Sequence, residues 1–166
     1  MPMLGAIIVP HPPLIIPTVG QGQEREVQIT IDTYRAAAKR AAAWAPEVLI
    51  VASPHAVMYA DYFHISPGAG ASGSMASFGA PQTRLDAVYD AGLRQELVRQ
   101  AEAAGTRAGT LGEKAPSLDH GTFLPLYFLR EAGVDCPILR IGLSGFSPLE
   151  HYRLVQCIAQ AVDTLG

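Results

Sequence analysis

The sequence predicts an α/β domain of three layers, α/β/α, with a mainly parallel or mixed central sheet. Three observations carry this. Short apolar runs of strand length stand at 4–8, 48–52 and 137–143. Stretches with apolar residues at helical spacing alternate with them, the pattern of a sheet covered by helices on both faces. The chain has 166 residues, 49% hydrophobic and only 16% charged, which is enough apolar material for one core and one domain over 1–166.

In chain order, the run at 4–8 predicts a buried strand that ends in Val9-Pro10-His11-Pro12-Pro13. The stretch 10–22 holds prolines and glycines and predicts an irregular loop whose prolines stiffen the histidine's surroundings. From 24 to 45, Val27, Ile31, Tyr34, Ala38 and Ala41 recur at three and four residues and mark the buried face of a helix, which Pro46 stops. A second strand, 48–52, then runs into Ser53-Pro54-His55. Strand, helix and strand read as a right-handed crossover with parallel strands, so both carboxyl ends, with His11 and His55, point to one rim of the sheet.

Residues 58–66 alternate aromatic and polar side chains and predict another extended piece. Residues 67–81 are mostly Gly, Ala and Ser, and read as a mobile loop or lid. A short edge strand at 84–89 follows. Asp90 caps a helix through Ala104 with Leu93, Leu97 and Ala101 inward, and Gly105 ends it. Thr122 is the expected N-cap of the next helix, with Pro125 in its first turn and His120 just outside it. A strand at 137–143 and a helix from 148 to 165, with Leu154, Ile158 and Ala161 on one face, complete the order.

Composition excludes several classes. A net charge of -3 without a Lys/Arg cluster lacks the electrostatic footprint of a nucleic-acid binder. No apolar run approaches the ~20 residues needed to span a bilayer, so no membrane partner is expected. Cys136 and Cys157 stand in no ligand spacing and read as small apolar residues of a reducing, cytoplasmic compartment. A homo-oligomer is left open.

The chemistry rests on histidines. His11 and His55 follow the carboxyl ends of predicted strands, where open α/β sheets place ligands, and two neutral imidazoles on one rim suit a divalent metal such as Fe or Zn. A carboxylate beside them would complete the facial set of non-haem iron oxygenases. The plainer reading is that each Pro-His caps its strand with a hydrogen bond. His120, beside Asp119 at a helix start, is a candidate proton carrier or substrate donor, or else a cap contact. His64, between Phe63 and Ile65, reads as facing solvent or a satisfied partner, and His151 as an ordinary surface residue at a helix start. Gly68 to Gly73 spell G-x-G-x-x-G, but composition explains this and no helix follows. No phosphate loop or G-x-S-x-G elbow occurs, since Gly142-Leu143-Ser144-Gly145 is only superficially similar.

The segments GAIIVPHPPLIIP, VLIVASPHAVMYADYFHISPG, FGAP, LDHGTFLPLYFL and RIGLSGFSPLEHYRL cover nearly the whole chain. In this order they resemble the class III extradiol dioxygenase B-subunit superfamily, most closely the dioxygenase-like domain of AmmeMemoRadiSam system proteins. The resemblance implies that His11 and His55 are metal ligands and that His120 is an active-site histidine near the substrate. It implies Fe(II), with Zn(II) as the other option, a small aromatic diol and O2 as substrates, and oxidative ring cleavage.

Family members also carry an acid/base histidine in a GDLSH-like segment and often a later carboxylate ligand. The chain resembles the N-terminal part of such a domain, so weak or absent turnover is expected. A non-catalytic, Memo-like binding or scaffold protein is the alternative. A zinc hydrolase is a third reading, without a general base to name.

Overall fold

The computed structural model describes residues 3–166. In chain order the elements are α1 (Pro17–Gly20), α2 (Gln28–Ala43), β1 (Leu49–Ser53), β2 (Phe63–His64), β3 (Gly70–Met75), β4 (Ala80–Val88), α3 (Ala91–Ala103), β5 (Ala108–Gly109), α4 (His120–Glu131), β6 (Ile138–Gly142) and α5 (Pro148–Leu165), with short 3-10 turns at Pro13–Ile15, Gln23–Val27 and Ala76–Phe78. The fold is α/β.

β6 is the central strand, and all five of its residues are buried. It pairs in parallel with β1, from Leu49↔Ile138 to Ser53↔Gly142. Tyr89 bridges to it in parallel at Ile138, and Ile65 bridges antiparallel at Ile141. β2 in turn pairs in parallel with β5. The sheet is therefore mixed.

Alternation along the strands divides the core between two faces. Leu49, Val51 and Ile138 pack with Ile31, Tyr34 and Ala38 of α2 and with Phe123, Leu124 and Phe128 of α4. Val48, Ile50, Leu139 and Ile141 pack with Leu93, Leu97 and Ala101 of α3 and with Leu154, Cys157 and Ala161 of α5. On the first face Tyr34 stacks on Phe128 with ring centroids 4.4 Å apart, a geometry worth ~0.5–1.5 kcal/mol beyond area burial. Local signals fix the helix ends. Asp90 accepts from Leu93 N at 2.7 Å to cap α3, and Ser147 and Glu150 form a reciprocal capping box at α5.

Three expectations are corrected. The run at 4–8 forms no strand and pairs with none among the described residues, so it closes no crossover unit with β1. Leu4 is 48% exposed, Ile7 41% and Ile8 fully. β-propensity selects an extended backbone, but a strand also needs a partner edge for its N–H and C=O groups.

The stretch 67–81 is no mobile loop. β3 and β4 form an antiparallel ladder from Gly70↔Val88 to Met75↔Ala80, with a register shift after Ser74. Small residues are what this ladder needs, because a Cβ on Gly73 would come within 2.8 Å of Leu118. Met75 and Ala80 anchor its end in the core.

Third, α4 begins at His120 with Asp119 as its N-cap, in place of Thr122. Asp119 is the better acceptor for first-turn N–H groups. His120 is thus inside the helix, and Pro125 falls in its second turn.

Candidate metal centre

Each of the three selected histidines is held by a different device. His11 lies in an extended segment, yet four and five residues on Ile15 and Ile16 are completely buried. Pro13 opens the intervening 3-10 turn, closed by Ile15 N donating to Pro12 O at 3.2 Å. The loop is therefore pinned close behind the histidine, although the chain ahead of it is exposed.

His55 sits in the turn after β1. Ser53, the last residue of that strand, is 1% exposed, and its Oγ accepts from His55 N at 3.1 Å. His120 is the first residue of α4, whose Phe123 and Leu124 are completely buried beneath it. β1 delivers its histidine at the carboxyl end of the parallel pair, where α/β sheets form ligand crevices.

These three segments converge. His11 Nε2 lies 2.8 Å from His55 Nε2. The His55 and His120 ring centroids are 3.9 Å apart, and those of His11 and His120 are 5.8 Å apart. One ring nitrogen from each of the three lies within 4.8 Å of the others. Phe78, in the turn between β3 and β4, meets His120 edge-on at 5.2 Å. Burial lowers the His120 pKa below the ordinary 6.5, and the neighbouring His55 and His11 imidazoles push the same way against Asp119.

Behind the histidines lies a buried ionic cluster. Asp119 Oδ1 accepts from Ser53 Oγ at 2.5 Å and from Thr122 N at 3.0 Å. Its Oδ2 accepts from Thr122 Oγ1 at 2.9 Å and from Arg140 Nη2 at 3.1 Å. Burial pushes this carboxyl up, but the Ser53 and Thr122 hydrogen bonds and the Arg140 guanidinium outweigh it and hold the pKa below its usual value. Arg140, in the middle of β6, is only 3% exposed. Sequence reasoning passed over Arg140 and Ser53. The available signal was an arginine inside the otherwise apolar Ile138–Gly142, since a buried guanidinium demands a partner.

The model of a protein family described as the catalytic LigB subunit of aromatic ring-opening dioxygenase matches residues 5–166. The chain belongs to this family. Among curated relatives of this LigB chain is Protein CA_C1420 of Clostridium acetobutylicum, 29% identical over 182 residues, an alignment covering all of this chain and 37% of that protein. The LigB chain thus spans little more than a third of the relative's length.

The donor set fits a divalent metal. Two imidazole nitrogens 2.8 Å apart match the roughly 3 Å between neighbouring ligands that each stand ~2.1 Å from one ion. Imidazole also suits Fe and Zn. The third nitrogen of the group is His120, and the expected carboxylate is not among the three. Asp119 is near in sequence, but both its oxygens are engaged.

The two histidines set aside have structural surroundings. His151 Nδ1 stands 3.0 Å from Ser147 O, and its ring packs edge-on against Phe63. His64, expected at solvent or against a satisfied partner, is buried at 6% exposure. Its Nε2 has no hydrogen-bond partner among the described residues and stands 4.0 Å from Glu113 Oε2. The bridge of Ile65 to β6 carries it inward.

Proposed function

We propose that this chain carries the metal-binding part of an extradiol ring-cleaving dioxygenase domain, with His11 and His55 holding a non-haem Fe(II). The observation that carries the reading is the meeting of three imidazoles from three separate parts of the chain, two in loops and one at a helix start, their nitrogens within 4.8 Å. Membership of the LigB family supplies the reaction class. A metal bound there would supply Lewis acidity and a template for a catecholic diol and O2. Zn(II) is the other ion this donor set suits.

The chain's own residues have distinct parts. His11 and His55 offer nitrogen lone pairs. His120, whose pKa burial and two adjacent imidazoles lower, would accept a hydroxyl proton from the substrate as general base. Phe78 offers an aromatic wall beside it for an aromatic ring. The series PHPP, SPH, LDHG and EHYRL favours the AmmeMemoRadiSam branch within the family. Two free cysteines, one of them buried, fit a reducing, cytoplasmic setting. No helix among the described residues is long and apolar enough to cross a membrane.

A non-catalytic, Memo-like binding role is the second reading. It is favoured by the absence of a carboxylate from the nitrogen group and by the exposed apolar side chains Leu4, Ile7 and Ile8. Anaerobic Fe(II) loading followed by catechol and O2 tests the first reading. Fe(II) uptake with ring-opening turnover is expected, while a clean protein that takes up no metal counts against it. An interaction that survives His11→Ala and His55→Ala together supports the second.

A further inference from the structure

We propose that Asp119 is the positioning residue of this centre, its carboxylate locking the His55 turn and the His120 helix start into one fixed arrangement. The proposal rests on the metal reading above, and its test separates the two.

An N-cap needs one accepted hydrogen bond, and Asp90 of α3 shows that ordinary case with Leu93 N as its side-chain donor. Asp119 accepts four, from three parts of the chain. Ser53, 66 residues away, donates to Oδ1, and the same Ser53 oxygen receives the backbone N–H of His55. Thr122 donates twice from the first turn of α4, the turn that begins with His120. Arg140 reaches Oδ2 from the central strand and also donates to Ala115 O at 3.2 Å.

One carboxylate thus joins the strand end behind one histidine to the helix start bearing another. Burying an ion pair adds little stability compared with apolar packing, and its best-attested use is to specify one arrangement. Gly121 shows how closely the parts are fitted, since a Cβ there would come within 3.1 Å of His55 Cδ2 and 3.2 Å of Asp119 Oδ1. Groups that support metal ligands from behind typically change metal affinity 10–100-fold when replaced.

The test uses Asp119→Ser, which keeps a helix-capping hydroxyl while losing the link to Arg140, and Asp119→Ser/Arg140→Met, which also removes the stranded buried charge. Co2+ affinity is measured on folded protein, and the imidazole NMR signals are followed without metal. The expected result is a 10–100-fold loss of Co2+ affinity, with the His55 and His120 signals broadened or doubled and those of His151 unchanged. Asp90→Ala, which removes an equivalent cap elsewhere, lowers the melting temperature without altering Co2+ affinity. A folded double variant with Co2+ affinity within ~3-fold of the parent and unmoved imidazole signals overturns the proposal. If the parent binds no Co2+, or binds it equally well with His11→Ala and His55→Ala, the metal reading fails by itself, and the metal-free imidazole signals still decide the role of Asp119.

Discussion

The Nε2 atoms of His11 and His55 stand 2.8 Å apart although 44 residues separate the two in the chain. One nitrogen must carry the proton for the pair to share a hydrogen bond, and both lone pairs are released when a cation takes its place. Neither ring is part of the core: His55 is exposed and His11 half-buried. Replacing either by Ala is therefore expected to cost stability no more than about 0.5 kcal/mol while removing metal binding. Urea unfolding of the metal-free variants checks the first half, and metal titration the second.

Gly121→Ala is expected to be costly, although Ala favours helices. The added methyl would press on Ser53 Oγ, His55 Cδ2 and Asp119 Oδ1, and the two oxygens are held in place by the hydrogen bond between them and by the one from Thr122 N. A loss of ~1–3 kcal/mol in urea unfolding, accompanied by weaker metal binding, is the expected outcome. A neutral substitution would mean that the turn after β1 has room to move.

Phe78→Ala should leave the fold nearly intact, because the ring is 38% exposed. Its edge contact with His120 places it where an aromatic ligand would pack. An aromatic pair is worth ~0.5–1.5 kcal/mol, so catechol binding to metal-loaded protein should weaken roughly 2- to 12-fold at unchanged metal affinity. Calorimetry measures both quantities.

His64 predicts a pH dependence. Burial lowers its pKa below 6.5, Arg140 adds to the effect, and Glu113 opposes it. The unfolded chain then takes up a proton that the folded chain refuses. Stability is present above the unfolded value and is lost as pH falls below it towards the lower folded value. His120, shifted in the same direction, adds an effect of the same sign. His64→Leu should flatten the fall in urea stability between about pH 7.5 and 5.5. Because it also removes a buried nitrogen without a partner among the described residues, the variant should be neutral or up to about 1 kcal/mol more stable at the upper pH.

Where function can be read from sequence here depends on whether the signal is local. Leu93, Leu97 and Ala101 recur at helical spacing, and they are the buried residues of α3. The helix predicted from 148 to 165 is α5, and the Pro-His pairs after two apolar runs marked histidines that do come together. What was missed depends on partners distant in the chain. The run at 4–8 has strand propensity but no edge to pair with among the described residues. The Gly, Ala and Ser of 67–81 look like a linker because a ladder held by backbone hydrogen bonds needs no large side chains, and closeness to Leu118 requires small ones. Asp119 caps in place of Thr122, and its ties to Ser53 and Arg140 cross 66 and 21 residues. Nothing in its immediate neighbours announces them.

The metal reading is tested most directly by anaerobic Fe(II) titration of the metal-free protein beside His11→Ala and His55→Ala. One equivalent bound by the parent and none by either folded variant is the predicted result. A parent that takes up no Fe(II), or variants that bind it as the parent does, would contradict the assignment of His11 and His55 as ligands.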